Sequence, residues 1–417
     1  MLKLQHTRSE FCIKGGVITR RGALFFIFMG ILSILFAQED VTVNGVTLIT
    51  KVFPEGEKAC AVVIEYPVEI DGQKLSPDQF SVKVKTSDTY SSRTITKVYA
   101  NDNGDPSFSI FNNRGKYVVL ELSPEDFHSN TIVFGPSFLN TRMELDYIVS
   151  QLVPIFDVNG NKVEPFTSKQ TDEKHLIIDD FLAFTFKDPE TGVEIPYRLF
   201  VPKDVNPDRK YPLVVFLHGA GERGTDNYLQ VAGNRGAVVW AQPRYQVVHP
   251  CFVLAPQCPP NSSWSTLFTD RENPFNPEKP LLAVIKIIRK LLDEYNIDEK
   301  RVYITGLSMG GYGTWSAIMN FPELFAAAIP ICGGGDVSKV ERIKDIPIWV
   351  FHAEDDPVVP VENSRVLVKK LAEIGGKVRY TEYEKGFMEK HGWDPHGSWI
   401  PAYESQEVIE WLFEQSR

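Results

Sequence analysis

Cysteine is scarce here, with five in 417 residues. Cys12 lies in a basic and apolar leader, while Cys60, Cys251, Cys258 and Cys332 are scattered. Cys251 and Cys258 flank a strand-like FVLAPQ, and an extended segment of that length holds its ends far beyond disulfide reach. The spacing follows no zinc pattern. A disulfide framework and a structural zinc are therefore excluded, and the four later cysteines are expected as mostly buried free thiols. Positive charge is also short: 44 Lys and Arg against 54 Asp and Glu leave a net charge of −10. There is no basic run, which argues against nucleic acid as a partner. A membrane-length apolar run is missing too, since Ala23 to Ala37 spans only 15 residues.

That stretch still carries information. Lys3, Arg8, Lys14, Arg20 and Arg21 precede it, and Gln38-Glu39-Asp40 follow. A basic region, an apolar region and a small residue at Ala37 make an export signal, with residues 1–38 set apart from the mature chain. Leu35 is not the small residue preferred three positions before a cut, so an uncleaved anchor is the alternative. The expected location is secreted or periplasmic, with no stable membrane span once the signal is removed.

The remaining chain is long enough for two domains. Hydrophobic content of 43% and charged content of 24% are those of an ordinary globular protein. Residues 39–168 read as short alternating strands, among them Val46–Val52, Ala59–Tyr66, Phe80–Lys85, Thr94–Tyr99 and Tyr117–Leu122. Pro54-Glu55-Gly56, Asp71-Gly72 and Asn112-Asn113-Arg114-Gly115 supply turns, and 153–163 reads as a closing hairpin. Roughly seven to nine strands without an amphipathic helix suggest an immunoglobulin-like β-sandwich. It lacks the Cys…Trp…Cys signature, so packing alone would hold it. The acidic turn 101–105 does not follow the spacing of a calcium loop and reads as solvated. Ser168–Lys174 is polar and reads as a linker.

From residue 175 to 417 strands alternate with helices. Leu281, Leu282, Ile285, Ile288, Leu291 and Leu292 recur at helical spacing, as do Val366, Leu367, Leu371 and Ile374. The alternation predicts an α/β domain with a mostly parallel sheet. A hairpin turn at Asp188–Gly192 makes its leading edge antiparallel. Val302–Thr305 reads as a buried strand running into Gly306-Leu307-Ser308-Met309-Gly310, and residues 314–320 can carry a helix. Strand, sharp turn and helix are the context in which G-x-S-x-G forms a nucleophile elbow.

A serine hydroxyl needs a base, and the base an orienting carboxylate. In this architecture the acid follows the serine and the histidine follows the acid. Ile348–His352 reads as a strand ending in Glu354-Asp355-Asp356-Pro357, at the edge where open α/β sheets place their sites. Asp356 is the expected acid, with Asp355 and Glu354 as rivals. Two histidines, His391 and His396, lie in the loop before the last helix and are both candidates for the base. His352 is expected to be structural. The glycine-rich His218–Gly224 turn suits an oxyanion-hole loop; it lacks the G-K-[ST] ending of a phosphate cradle. Residues 225–280 are aromatic-rich, and Trp240, Tyr245, Trp264, Phe268 and Phe275 line an acyl pocket or pack.

L-H-G-A-G-E-R-G, A-P-Q-C-P…W, R-V-Y-I-T-G-L-S-M-G-G-Y-G-T-W, H-A-E-D-D-P-V-V-P and H-G-S-W…A-Y together resemble the α/β-hydrolase family. More narrowly they resemble its polyhydroxybutyrate-depolymerase-like and feruloyl-esterase-like carboxylesterases, often grouped as predicted peptidases. The pairing with an immunoglobulin-like domain is similar to that of a hyperthermophile esterase group. The resemblance implies an α/β-hydrolase domain after the sandwich and a serine carboxylesterase acting on small ester substrates, without cofactor or metal. It carries the nucleophile to Ser308, the acid to Asp356 and the oxyanion N–H groups to Ala220 and Met309. It carries the base to His396, which has Trp399 and Tyr403 at the family spacing where His391 has neither. Ala353 departs from the usual glycine, and 386–395 looks like an insertion that keeps His391 open. A serine peptidase on the same triad is the rival activity. A polysaccharide- or surface-binding role for the first domain is another, and homo-oligomerisation through it is left open.

Overall fold

The computed structural model describes residues 43–106, 113–203 and 205–417. The expected export signal and Cys12 lie outside the described residues.

The first 120 or so described residues are all β. In chain order the strands are β1 (Gly45–Phe53), β2 (Gly56–Asp71), β3 (Phe80–Thr86), β4 (Thr89–Arg93), β5 (Ile95–Asn101), β6 (Arg114–Leu122), β7 (Ile132–Phe134), β8 (Asn140–Arg142), β9 (Tyr147–Gln151), β10 (Ile155–Phe156), β11 (Lys162–Val163), β12 (Phe166–Lys169) and β13 (Asp172–His175). They form a five-stranded sheet, β13-β1-β2-β6-β5, and a four-stranded sheet, β12-β9-β3-β4. Alternate residues of each strand face inward. Val46, Leu48, Val62, Ile64, Val118 and Leu120 of one sheet meet Val82, Val84, Tyr147 and Val149 of the other in a buried core. This is the expected sandwich, and Cys60 is a free thiol in it. In the turn after β5, the Asn101 side chain accepts from the Gly104 N–H and donates to the Asp105 carbonyl.

Ser168–Lys174, expected as a linker, is built into the sandwich. Phe166–Lys169 pairs with β9, and Asp172–His175 lies parallel to β1, from Thr47 opposite Asp172 to Thr50 opposite His175. The tie continues into the next domain through Glu57. Its carboxylate is buried and accepts from Thr131 Oγ1 at 2.6 Å, from Tyr228 OH at 2.6 Å and from His175 Nδ1 at 2.9 Å. Burial raises its pKa, but the bonds from His175, Thr131, Thr50 and Tyr228 outweigh that and hold it below the usual carboxylate range. A carboxyl lowered on folding stabilises above its unfolded pKa, and that contribution fades as pH falls through the folded value. Glu57→Gln should therefore cost about 1–3 kcal/mol at neutral pH and flatten the acid side of the stability curve. Melting curves of both proteins from about pH 3 to pH 7 test it; curves that stay superimposed would refute the role.

From Phe181 the chain builds one eight-stranded mixed sheet. Its strands are β14 (Phe181–Lys187), β15 (Glu194–Phe200), β16 (Tyr211–Leu217), β17 (Phe252–Pro256), β18 (Ile297–Leu307), β19 (Ala327–Ile331), β20 (Ile348–Ala353) and β21 (Val378–Tyr383). The spatial order is β14-β15-β17-β16-β18-β19-β20-β21. The leading β14–β15 and β15–β17 pairs are antiparallel, and every later pair is parallel. The helices are α1 (Leu229–Ala232), α2 (Pro243–Gln246), α3 (Lys279–Glu294), α4 (Met309–Asn320), α5 (Glu362–Glu373), α6 (Phe387–Lys390), α7 (Trp399–Glu404) and α8 (Gln406–Phe413). On one face of the sheet, Leu281, Ile285, Ile288 and Leu291 of α3 pack with Ile318 of α4 and Leu367 and Leu371 of α5. On the other face, residues 231–241 pack with Val408, Ile409, Trp411 and Leu412 of α8. Trp240 and Trp264 are fully buried packing residues. The sheet is an α/β-hydrolase sheet, and β18 runs down its middle, so the turn from β18 into α4 projects from the centre of one edge.

Candidate active site

Strand β18 ends at Leu307, and Ser308 caps the start of α4 with φ 53° and ψ −118°. That is a backbone state a β-carbon resists. It is held because neighbouring backbone is packed against the turn on both sides. A Cβ on Gly310 would stand 1.9 Å from the Leu217 carbonyl oxygen, and one on Gly306 would stand 2.4 Å from that of Gly310. The Ser308 N–H donates to the Ile331 carbonyl at 3.0 Å. Gly310→Ala should thus displace β16 or α4 and lose more than about 3 kcal/mol of stability. Thermal melting of the purified variant checks this, and a near-native melting temperature would show that the turn can give way.

The polar chain at the elbow is continuous. His396 Nε2 lies 2.9 Å from Ser308 Oγ, and His396 Nδ1 lies 2.7 Å from Asp356 Oδ2. The serine hydroxyl donates to Nε2 when Nδ1–H donates to the carboxylate. Asp356 Oδ1 accepts from the Val358 and Val359 N–H groups at 2.8 and 2.9 Å. Burial raises the Asp356 pKa, but bonds from His352 and His396, the His396 charge and the Val359 N–H bring it well below the usual range. The acid is therefore ionised at neutral pH. His352 is buried beneath it, with Nδ1 2.8 Å from Ser364 Oγ and Nε2 2.9 Å from the Val359 carbonyl. It props the acid turn.

The other candidates lie elsewhere. Asp355 accepts from the Gly386 N–H at 2.8 Å, and Glu354 from the Lys385 N–H at 3.1 Å, so both face the strand end beside them. His391 is exposed, stacks on Trp393 and has Nδ1 against the Phe387 carbonyl at 2.8 Å. Residues 386–395 form α6 and two turns, and they set His391 apart from His396. Trp399 stands edge-on to the His396 ring with centroids 5.3 Å apart. Tyr403 is buried, and its hydroxyl meets Thr305 Oγ1 of β18 at 2.8 Å. Together they fix α7, and so the loop carrying His396, to the strand carrying Ser308.

The loop after β16 completes the site. Among the described residues neither the Ala220 nor the Met309 N–H has a protein acceptor. Met309 is the first residue of α4, where helix N–H groups are free and the dipole favours negative charge. The His218 ring is fully buried, which lowers its pKa to about 4 and keeps it neutral. Its Nδ1–H donates to the Gly219 carbonyl at 2.6 Å, and Nε2 accepts from the Cys258 N–H at 2.9 Å. The Trp264 indole N–H reaches the His218 carbonyl at 3.0 Å. Burial also raises the Glu222 carboxyl to about 6. Phe275 stacks on Tyr312, with ring centroids 6.3 Å apart and planes 5° apart, making an aromatic wall beside the elbow.

Cys332 is a residue that sequence reasoning does not tie to the site. It is fully buried with φ 40°, and burial raises its thiol pKa. Its sulfur, an Asp356 oxygen and a His396 nitrogen lie within 4.8 Å of one another. Those three could hold a metal, but the acid and the imidazole are already bonded to each other. Only the position of Cys332, directly after β19 in the sheet beside β18, could have pointed to it.

Comparison with known proteins agrees with this architecture. Residues 45–164 match the model of the esterase Ig-like N-terminal domain, and residues 268–349 match that of the prolyl oligopeptidase family. A crystal structure of a thermostable esterase is 94% identical, with a TM-score of 0.89, over 90% of this chain and 100% of that one. The bifunctional acetylxylan esterase/xylanase XynS20E of Neocallimastix patriciarum is 26% identical over 49% of this chain and 29% of its own length. Poly(3-hydroxyalkanoate) depolymerase C of Paucimonas lemoignei is 30% identical over 30% of this chain and 28% of its own. The chain thus spans less than a third of those two curated relatives. With the sandwich, the hydrolase sheet and the near-identical esterase together, the chain belongs to the esterase family in which an immunoglobulin-like N-terminal domain precedes an α/β-hydrolase domain.

Proposed function

We propose that the chain is a serine carboxylesterase that hydrolyses small carboxylic esters through Ser308, His396 and Asp356. The observation that carries this is the unbroken Asp356–His396–Ser308 chain, with contacts of 2.7 and 2.9 Å; among the described residues the Ala220 and Met309 N–H groups have no protein acceptor. Ser308 Oγ attacks the ester carbonyl while its proton passes to His396 Nε2. Asp356 stabilises the imidazolium and holds its tautomer. The Ala220 and Met309 N–H groups donate to the oxyanion of the tetrahedral intermediate. His396 returns the proton to the leaving alcohol. Water, activated by the same imidazole, then releases the acid from Ser308. The names of the curated relatives, acetylxylan esterase and hydroxyalkanoate depolymerase, support an ester as the bond cleaved.

A serine peptidase is the second reading, favoured by the prolyl oligopeptidase match over residues 268–349. Assay of p-nitrophenyl acetate beside a peptide p-nitroanilide decides between them. Ester turnover should exceed amide turnover by at least about 100-fold, a 2.7 kcal/mol preference; comparable rates would favour the peptidase. We also propose export, from the leader in residues 1–38, and an assembly role for the sandwich. No helix among the described residues is long and apolar enough to cross a membrane.

A further inference from the structure

Cys332, Asp356 and His396 come from three parts of the hydrolase domain: the end of β19, the turn after β20 and the loop before α7. The Cys332 sulfur, an Asp356 oxygen and a His396 nitrogen all lie within 4.8 Å of one another. Among the described residues no other His, Cys, Asp and Glu side chains form such a group. Thiolate, imidazole and carboxylate are the ligands of zinc, whereas magnesium and calcium take oxygen. Tetrahedral zinc holds such atoms about 3.3–3.7 Å apart, so each pair has to change by only about 1 Å. His396 is half-buried and gives the side from which a cation enters.

The surroundings of the sulfur add to this. Cys332 has φ 40°, a backbone state that disfavours a side chain. Its N–H donates to the Phe351 carbonyl at 2.8 Å. Strain of this kind persists where neighbouring structure fixes it, and here it keeps a sulfur beside the acid–histidine pair. Burial and the Asp356 charge raise the thiol pKa, against the Ser308 N–H and the Ser398 hydroxyl. Ser398 Oγ is itself buried without a hydrogen-bond partner, so a further oxygen stands next to the sulfur.

We propose that this group is an inhibitory zinc site, in which the cation bridges Cys332 Sγ, Asp356 and His396 Nδ1. The carboxylate and Nδ1 share a proton at 2.7 Å, and the cation takes its place. The thiol gives its proton to solvent, and the imidazole proton moves from Nδ1 to Nε2. Nε2 then carries a hydrogen and no longer accepts the one from Ser308. Zinc binding and turnover are thus mutually exclusive. The inhibition, though not the binding, rests on the assignment of Ser308 and His396. The titratable groups facing the thiol are Asp356, His396, Tyr312 and Tyr403. Burial keeps both phenols protonated and Asp356 is ionised. The thiol proton is therefore the one released, and zinc affinity should climb about tenfold from about pH 7.5 to pH 8.5.

The test titrates zinc chloride into p-nitrophenyl acetate hydrolysis by the full chain, Cys332→Ala, Cys332→Ser and Cys60→Ser. Each rate is taken relative to that protein's own zinc-free rate. Zinc should inhibit the parent and Cys60→Ser alike, and EDTA should restore the rate. Half-inhibition should need at least about tenfold more zinc in both Cys332 variants, since even the outer partners of metal ligands carry about 10- to 100-fold of affinity. Most of the climb with pH should vanish in them. An insensitive parent, equal sensitivity in the Cys332 variants, or inhibition that EDTA does not reverse overturns the proposal. Binding is read apart from activity by titrating cadmium into Ser308→Ala. A thiolate-to-cadmium absorption should rise there and be lost when Cys332→Ala is added. Its absence overturns the site, and its presence without zinc inhibition of the parent overturns the block at His396. Esterase activity in Ser308→Ala would instead refute the nucleophile, and the cadmium absorption would still decide the site.

Discussion

Ser308→Ala is expected to cut turnover of p-nitrophenyl acetate by about 10⁴- to 10⁶-fold while the protein stays folded. The hydroxyl lies 2.9 Å from His396 Nε2, so its removal takes away the oxygen that forms the acyl-enzyme. The residual rate would come from the oxyanion donors and substrate binding alone. Stability should barely change. Alanine at φ 53° is no more strained than serine there, and the backbone bond from residue 308 to Ile331 survives. Steady-state assay with a melting curve checks both halves. Full activity in a folded variant would remove Ser308 from the mechanism.

The second large effect separates two histidines five positions apart. His396→Ala should lose about 10⁴-fold or more in kcat. His391→Ala should stay within about threefold, as exposed substitutions away from a site usually do. His396 bridges Asp356 and Ser308, whereas His391 is spent on the Phe387 carbonyl and the Trp393 ring. Parallel assay of both variants is decisive. Inactivation by the His391 change alone would mean that 386–395 rearranges to bring His391 to the serine.

The elements legible in the sequence are those whose signal is local. Strand β18, the G-x-S-x-G turn and α4 come one after another without a gap, and short continuous apolar runs mark β16, β17 and β20, which are buried along their length. The chain order of serine, acid and histidine narrows the triad, and the Trp399 and Tyr403 spacing singles out His396. The structure adds why that spacing matters: one ring flanks the imidazole and the other anchors α7 to Thr305. Asp172-Glu-Lys174 reads as linker because it has neither β-branched residues nor alternation. It is a strand because β1 offers an open edge, and that edge is a tertiary fact. Helix α7 escapes the sequence because Pro401 and its brevity hide the period, and β8 because a three-residue strand carries almost no pattern, whereas β7 falls within the strand read at Thr131–Phe134. The approach of Phe134 to Gly221 is out of reach too, since the two lie 87 positions apart and only folding brings them together.

The parallel pairing of β1 with β13 has a mechanical consequence. The chain enters the sandwich at the start of β1 and leaves for the hydrolase domain at the end of β13, at the opposite end of the paired register from Thr47–Asp172 to Thr50–His175. Tension between the N-terminal side and the catalytic domain pulls these two strands past each other along their length. Their hydrogen bonds are then loaded in shear and must fail together, not peeled one at a time. If the leader tethers the protein to a surface, the sandwich is a strain-resistant coupling that keeps the hydrolase held under drag or flow.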